Sequence, residues 1–193
     1  MNQRSSIKYI KYDPDKHHRR SIRLPGYDYS QSGAYFVTIC AYQRQCLFGD
    51  VVDGQMVLNQ YGNVVADEWK KSSVIRKEIK LDEWVVMPNH FHGIVIINNT
   101  TVGANGRSPL LRGCTHPQMK PKSLSSLMAG FKSIATKKIN ILRGTPGTPL
   151  WQRNYYEHII RNPDAMNKIR QYIIHNPVSW SVDQLHPHHP SKW

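Results

Sequence analysis

Acidic residues are scarce in this chain and absent from its middle. Against 26 Lys and Arg there are 13 Asp and Glu, a formal net charge of +13. Between Glu83 and Glu157 there is no carboxylate at all, while Arg107, Arg112, Lys120, Lys122, Lys132, Lys137, Lys138, Arg143 and Arg153 fall in that interval. Such an imbalance raises the self-repulsion of a compact chain, so a counter-charged partner is expected, and a polyphosphate backbone is the commonest one. Cysteine is scarce too. Cys40, Cys46 and Cys114 are an odd, sparse set without CxxC spacing, which argues against a disulfide framework or a zinc ribbon. No apolar run approaches the roughly 18 residues of a membrane span. The N-terminus carries Lys8, Lys11 and Lys16 without the apolar stretch of a secretory signal. These absences give the expectation of a soluble, cytoplasmic protein with no membrane partner.

The 193 residues suit one domain with short arms, and ten Tyr and five Trp supply material for a core. Residues 1–33 are polar, broken by Pro14, Pro25, Gly26 and Gly33, and read as a basic arm that Tyr27 and Tyr29 anchor to the domain. Residues 34–178 read as the body and 179–193 as a short, solvated His/Pro-rich tail. Ala34–Tyr42 is β-branched and aromatic, hence a strand. A short hairpin is expected at Asp53-Gly54. A helix of roughly four turns follows Asn59 as N-cap. Leu81–Met87 and His90–Ile97, separated only by Pro88-Asn89, form a β-hairpin. Residues 98–122 read as a polar loop. Ser123 caps an amphipathic helix through Leu142. Leu150–Ile160 is a fourth strand, and Pro163 opens a last helix that Pro177 ends. The order predicts an α+β fold: a ferredoxin-like βαββαβ unit, an antiparallel sheet with helices packed on it, and an added C-terminal helix.

Two histidines stand out. His90 and His92 lie two apart on a strand and therefore share a face. Imidazoles set in so apolar a run are costly to bury without partners, which points to a metal or a catalytic pair. On the last helix Tyr172 and Asn176 are four apart and face the same way. A phenol beside an amide oxygen, joined to two imidazoles, offers an attacking group and a hard-cation site with open positions for phosphate oxygens.

The segments Val86-Met87-Pro88-Asn89-His90-Phe91-His92, Trp151-Gln152-Arg153, Glu157-His158-Ile159-Ile160-Arg161-Asn162 and Tyr172-Ile173-Ile174-His175-Asn176-Pro177 resemble, in that order, the HUH single-tyrosine transposases. The likeness is nearest to the REP-associated tyrosine transposases. Arg23-Leu24-Pro25-Gly26-Tyr27-Asp28-Tyr29 and Tyr35-Phe36-Val37-Thr38 extend the resemblance to about residues 19–178. It implies a metal-dependent single-stranded DNA endonuclease and strand transferase acting on hairpin or palindromic repeat DNA. In that family Tyr172 is the position of the nucleophile, giving a 5′-phosphotyrosine, and His90, His92 and Asn176 are the positions that bind Mg²⁺ or Mn²⁺. DNA contacts are expected from Arg19, Arg20, Arg23, Arg112, Lys132, Lys137, Lys138 and Arg153, in a monomer or homodimer. Two other readings remain open on the residues alone. One is a catalytically silent, domesticated binder of repeat DNA. The other is a metal phosphoesterase with water as nucleophile, indifferent to Tyr172.

Overall fold

The computed structural model describes residue 24 and residues 27–98 and 120–189. Four strands form one antiparallel sheet: β1 (Gly33–Cys40), β4 (Ile79–Met87), β5 (His90–Ile97) and β6 (Tyr156–Ile160), in spatial order β4-β5-β1-β6. With α1 (Gln60–Ile75) between β1 and β4 and α2 (Leu124–Leu142) between β5 and β6, this is the expected ferredoxin-like βαββαβ arrangement. The Asp53-Gly54 turn joins a separate hairpin of β2 (Gly49–Val52) and β3 (Gln55–Leu58). The last helix, α3, runs from Pro163 to His175.

The caps fall where the sequence places them. Asn59 Oδ1 accepts from Tyr61 N and Gly62 N at 2.9 and 3.0 Å. Ser123 Oγ accepts from Ser126 N at 3.2 Å, and Asn162 Oδ1 from Ala165 N at 2.8 Å. Each satisfies amide donors that a helix start otherwise leaves orphaned.

Strand alternation divides the core in two. Tyr35, Val37 and Ile39 of β1 and Phe91, Val95 and Ile97 of β5 face α1 and α2, where Trp69, Met128, Phe131 and Ile139 close the main core. Phe36, Ile94 and Ile160 face the other way and bury Ile173 of α3. The protein is thus three layers, two helices, a sheet and one helix, and His90 and His92 share the parity of Ile94 on the α3 face. Gly93 makes the opposite face possible at this point. A Cβ there would lie 2.8 Å from the Phe91 ring and 2.9 Å from Trp69, whose rings pack 4.6 Å apart.

Two expectations need correction. The Leu150–Ile160 run is a strand only from Tyr156 onward; before that, Trp151 makes a single bridge to Ala41. The intervening backbone turns because Lys132 Nζ donates to the carbonyls of Gln152, Arg153 and Asn154 at 2.6, 3.2 and 3.4 Å. The tail is not simply solvated either. Residues 180–189 fold back against the body through hydrogen bonds from Arg44 and Asn89. Tyr27 and Tyr29 pack on Tyr35 with ring centroids 6.4 and 6.0 Å away, while most of the expected basic arm lies outside the described residues.

Candidate active site

His90 and His92 are held from behind. In the β1–β5 register Thr38 lies opposite His92 and Cys40 opposite His90. Thr38 Oγ1 sits 2.7 Å from His92 Nδ1, and Asn89 Oδ1 sits 2.8 Å from His90 Nδ1. His90 Nδ1–H donates to that amide oxygen, which leaves Nε2 as the free lone pair. The two rings lie 4.5 Å apart. Phe36 stacks on His92 at 5.3 Å and 27°. Oxygen partners on the rear nitrogens and a close-packed face fix both Nε2 atoms toward α3, the arrangement that ligating histidines use.

The helix α3 is locked in place by Arg170, whose Nε and Nη2 donate to Asp82 Oδ1 and Oδ2 at 2.7 and 2.8 Å. A two-point guanidinium–carboxylate contact fixes direction as well as distance, and here it ties α3 to β4. It brings the Tyr172 hydroxyl to 3.3 Å from His92 Nε2 within the same chain. Asn176, the C-cap of α3, is 2 % exposed. Its Nδ2 donates to Asp183 Oδ2 at 2.9 Å. Its Oδ1 and the Nε2 of His90 are both buried without a hydrogen-bond partner. Two orphaned acceptors of this kind are costly unless something positive binds there.

The electrostatics agree. Burial brings His90 down to about 4, against a smaller opposing pull from Asp183, and holds His92 well below 6.5, with His90 adding to the effect. Both imidazoles are therefore neutral near neutral pH, the form that can ligate a metal. Burial and the Asp183 charge push the Tyr172 phenol up to about 12.

His90, His92 and Asp183 each offer a ligand atom within 4.8 Å of the others, and all three are buried. With the free Asn176 oxygen, this nitrogen and oxygen set fits a divalent cation. Asp183 was not legible in the sequence. It follows Pro177 in the tail, with no spacing signal to the histidines. Thr38 and Asn89 were also missed, although Asn89 lies inside the motif itself and the β1–β5 pairing could have nominated Thr38. A cleft of about 310 Å³ opens beside Tyr172, lined also by His175, Asn176, Ser179, Val182 and Asp183.

The basic residues divide. Arg19, Arg20, Arg23 and Arg112 lie outside the described residues. Lys137 and Arg153 are exposed. Lys138 Nζ is instead 2.6 Å from the buried Glu68 carboxylate, and Lys132 is spent on the three carbonyls described above. Among the described residues, no helix is long and apolar enough to cross a membrane.

No family model matches the chain. A Haemophilus influenzae protein described only as uncharacterised is 40% identical over 177 residues, covering 91% of this chain and 97% of its own length. Among solved structures, a REP-associated tyrosine transposase bound to a REP hairpin matches with a TM-score of 0.51 and 19% identity, over 89% of this chain and 91% of its own. A chain from Deinococcus radiodurans described as a candidate transposase matches with a TM-score of 0.43 and 15% identity, over 79% of this chain and 95% of its own. That second likeness is too slight to argue from. By its similarity along nearly the whole length, the chain belongs to the family of the Haemophilus influenzae protein, and its fold is that of the REP-associated tyrosine transposase.

Proposed function

We propose that this protein is an HUH single-tyrosine transposase that nicks and rejoins single-stranded DNA bearing a hairpin or palindromic repeat. The observation that carries the reading is the meeting of Tyr172 and His92 at 3.3 Å, from a helix and a strand that nothing but tertiary structure brings together. The Tyr172 oxygen attacks the scissile phosphorus. A P–O bond to tyrosine forms, the bond to the 3′ oxygen breaks, the phenolic proton passes to solvent, and the 3′ oxygen leaves carrying a proton. The 5′ end then stays on Tyr172 as a phosphotyrosine, and attack by a 3′-hydroxyl reverses the step.

His90, His92 and Asn176 would hold the Mg²⁺ or Mn²⁺ that the motif implies, and the orphaned His90 Nε2 and Asn176 Oδ1 fit it. A divalent cation held there would polarise the phosphate and offset its developing charge. Thr38 and Asn89 keep the imidazoles aimed, and Arg170 with Asp82 keeps Tyr172 in reach. The contact of Tyr172 with His92 of its own chain supports a step carried out in cis, within a monomer or homodimer. Exposed Lys137 and Arg153 would meet the DNA backbone. Such a substrate fits a protein that works in the cytoplasm, at the nucleoid.

The test is incubation with hairpin-bearing single-stranded oligonucleotides and Mg²⁺ or Mn²⁺, followed by denaturing electrophoresis. A covalent protein–DNA species is expected. Tight, salt-sensitive hairpin binding with no adduct under either metal would favour the silent binder. A free 5′-phosphate product without an adduct would favour a water-using phosphoesterase.

A further inference from the structure

Arg44 and Gln43 both adopt the left-handed backbone region, with φ of 57° and 54°. That conformation costs a non-glycine residue about 1 kcal/mol or more, so something must hold it. The Arg44 guanidinium spends its donors on one short segment. Nη2 donates to the carbonyls of Gln184 and His186 at 2.9 and 2.7 Å, Nη1 to that of His189 at 3.1 Å, and Nε to that of Leu185 at 3.3 Å. Asn89 Nδ2 donates to the same Leu185 carbonyl at 2.8 Å and to the Arg44 carbonyl at 3.2 Å. Asn89 is also the residue that orients His90. The segment from 184 to 189 is therefore bolted to the back of the histidine site.

That bolting fixes the position of Asp183. The residue is 7% exposed, and its carboxylate lies in the group with His90 and His92. Its Oδ1 accepts from Leu185 N at 2.6 Å and its Oδ2 from Asn176 Nδ2 at 2.9 Å. Neither donor is charged, and among the described residues no Lys or Arg forms an ion pair with it. A buried carboxylate is strongly unfavourable without a cation. Each oxygen accepts one hydrogen bond and keeps a lone pair. Two imidazoles and an amide oxygen are all neutral, so a divalent ion held by them alone would keep its full charge.

We propose that Asp183 is the anionic ligand of the metal site, and that residues 183–189 are a strap, clasped by the positioning residue Arg44, that delivers it. This rests on the metal centre read above and adds a ligand to it. His90 Nε2, His92 Nε2, Asn176 Oδ1 and the Asp183 carboxylate then leave two positions of an octahedral ion for a phosphate oxygen and water.

The test is Mn²⁺ titration of the full chain without DNA, followed by electron paramagnetic resonance for affinity and water-proton relaxation for coordinated waters. Asp183→Asn is expected to bind Mn²⁺ about tenfold more weakly or worse, with one more coordinated water. Arg44→Ala is expected to weaken binding in the wild-type background and to add nothing in the Asp183→Asn background. Wild-type affinity in Asp183→Asn overturns the proposal. So does weaker binding with an unchanged water count, which would place Asp183 outside the ligand set, acting on the ion only through its charge. Equal losses from Arg44→Ala in both backgrounds overturn the clasp. Asp183→Glu, which keeps the charge, guards against misfolding of the amide variant: it is expected to keep the wild-type water count, and a gained water overturns the assignment. With no DNA present, failure here leaves the nicking activity standing. Mn²⁺ held through Asp183 in a protein that forms no adduct sinks the nicking activity alone.

Discussion

The Tyr172 hydroxyl lies 3.3 Å from Nε2 of His92, eighty residues away in sequence. Tyr172 is 41% exposed, while its ring packs edge-on to Phe36 at 6.1 Å. It is therefore open to a substrate yet fixed in direction. Tyr172→Phe keeps the ring and its packing and removes only the attacking oxygen. Covalent adduct with a hairpin oligonucleotide should fall at least about a thousandfold, with hairpin affinity and the urea midpoint close to wild type. An adduct that survives in this variant would put the nucleophile elsewhere.

Thr38 makes a separable contribution. Its Oγ1 contacts His92 Nδ1 at 2.7 Å in a place only 8% exposed. Thr38→Val conserves the volume and strands that nitrogen. The lost partner should cost about 1–3 kcal/mol of stability, and Mn²⁺ affinity should drop about 10- to 100-fold. Equilibrium urea unfolding and Mn²⁺ titration read the two effects. Unchanged metal binding would mean that packing on Phe36 alone orients the ring.

The histidines also set a pH dependence. Burial keeps His90 near 4 and His92 well below 6.5 in the folded protein, whereas in the unfolded chain both return to about 6.5. Between those values the unfolded state binds more protons, so stability rises with pH. The contribution is fully present above about 6.5 and is lost as pH falls toward 4. In metal-free buffer the urea midpoint should drop between pH 7 and pH 4.5, and should drop less in a His90→Asn, His92→Asn double variant. Parallel curves for the two proteins would show that the acid sensitivity comes from carboxylates instead.

Patterns that are local in the chain were legible from sequence. Asn59, Ser123 and Asn162 cap their helices because a side-chain oxygen answers amides two or three residues on. The His90–His92 face follows from strand alternation. Tyr172 and Asn176 share a face by helical periodicity. What escaped depends on distant closure. Asp183 reaches the histidines only because Arg44, well over a hundred residues earlier, bends into left-handed backbone and grips the following carbonyls. The early half of Leu150–Ile160 has strand composition, yet Lys132 draws its carbonyls out of the sheet. Charge counting is blind for a related reason to the partners of two lysines, a buried Glu68 beside Lys138 and three carbonyls beside Lys132.

Those lysines give the last prediction. Lys137 is exposed, whereas Lys132 Nζ sits within 2.6 to 3.4 Å of three carbonyls, and burial brings it down to about 8. If Lys137 contacts phosphate, Lys137→Ala should weaken hairpin binding across sequences and reduce the slope of log affinity against log salt by about one. Lys132→Ala should leave that slope unchanged and instead cost about 1–3 kcal/mol, because three carbonyls lose a shared donor. Lys138→Ala should do little to either, since Lys71 still reaches Glu68 at 3.2 Å and keeps its carboxylate paired. Fluorescence anisotropy at several salt concentrations, beside urea unfolding of the same variants, separates the three roles. A Lys132→Ala variant with normal stability and a shallower salt slope would return Lys132 to the DNA surface.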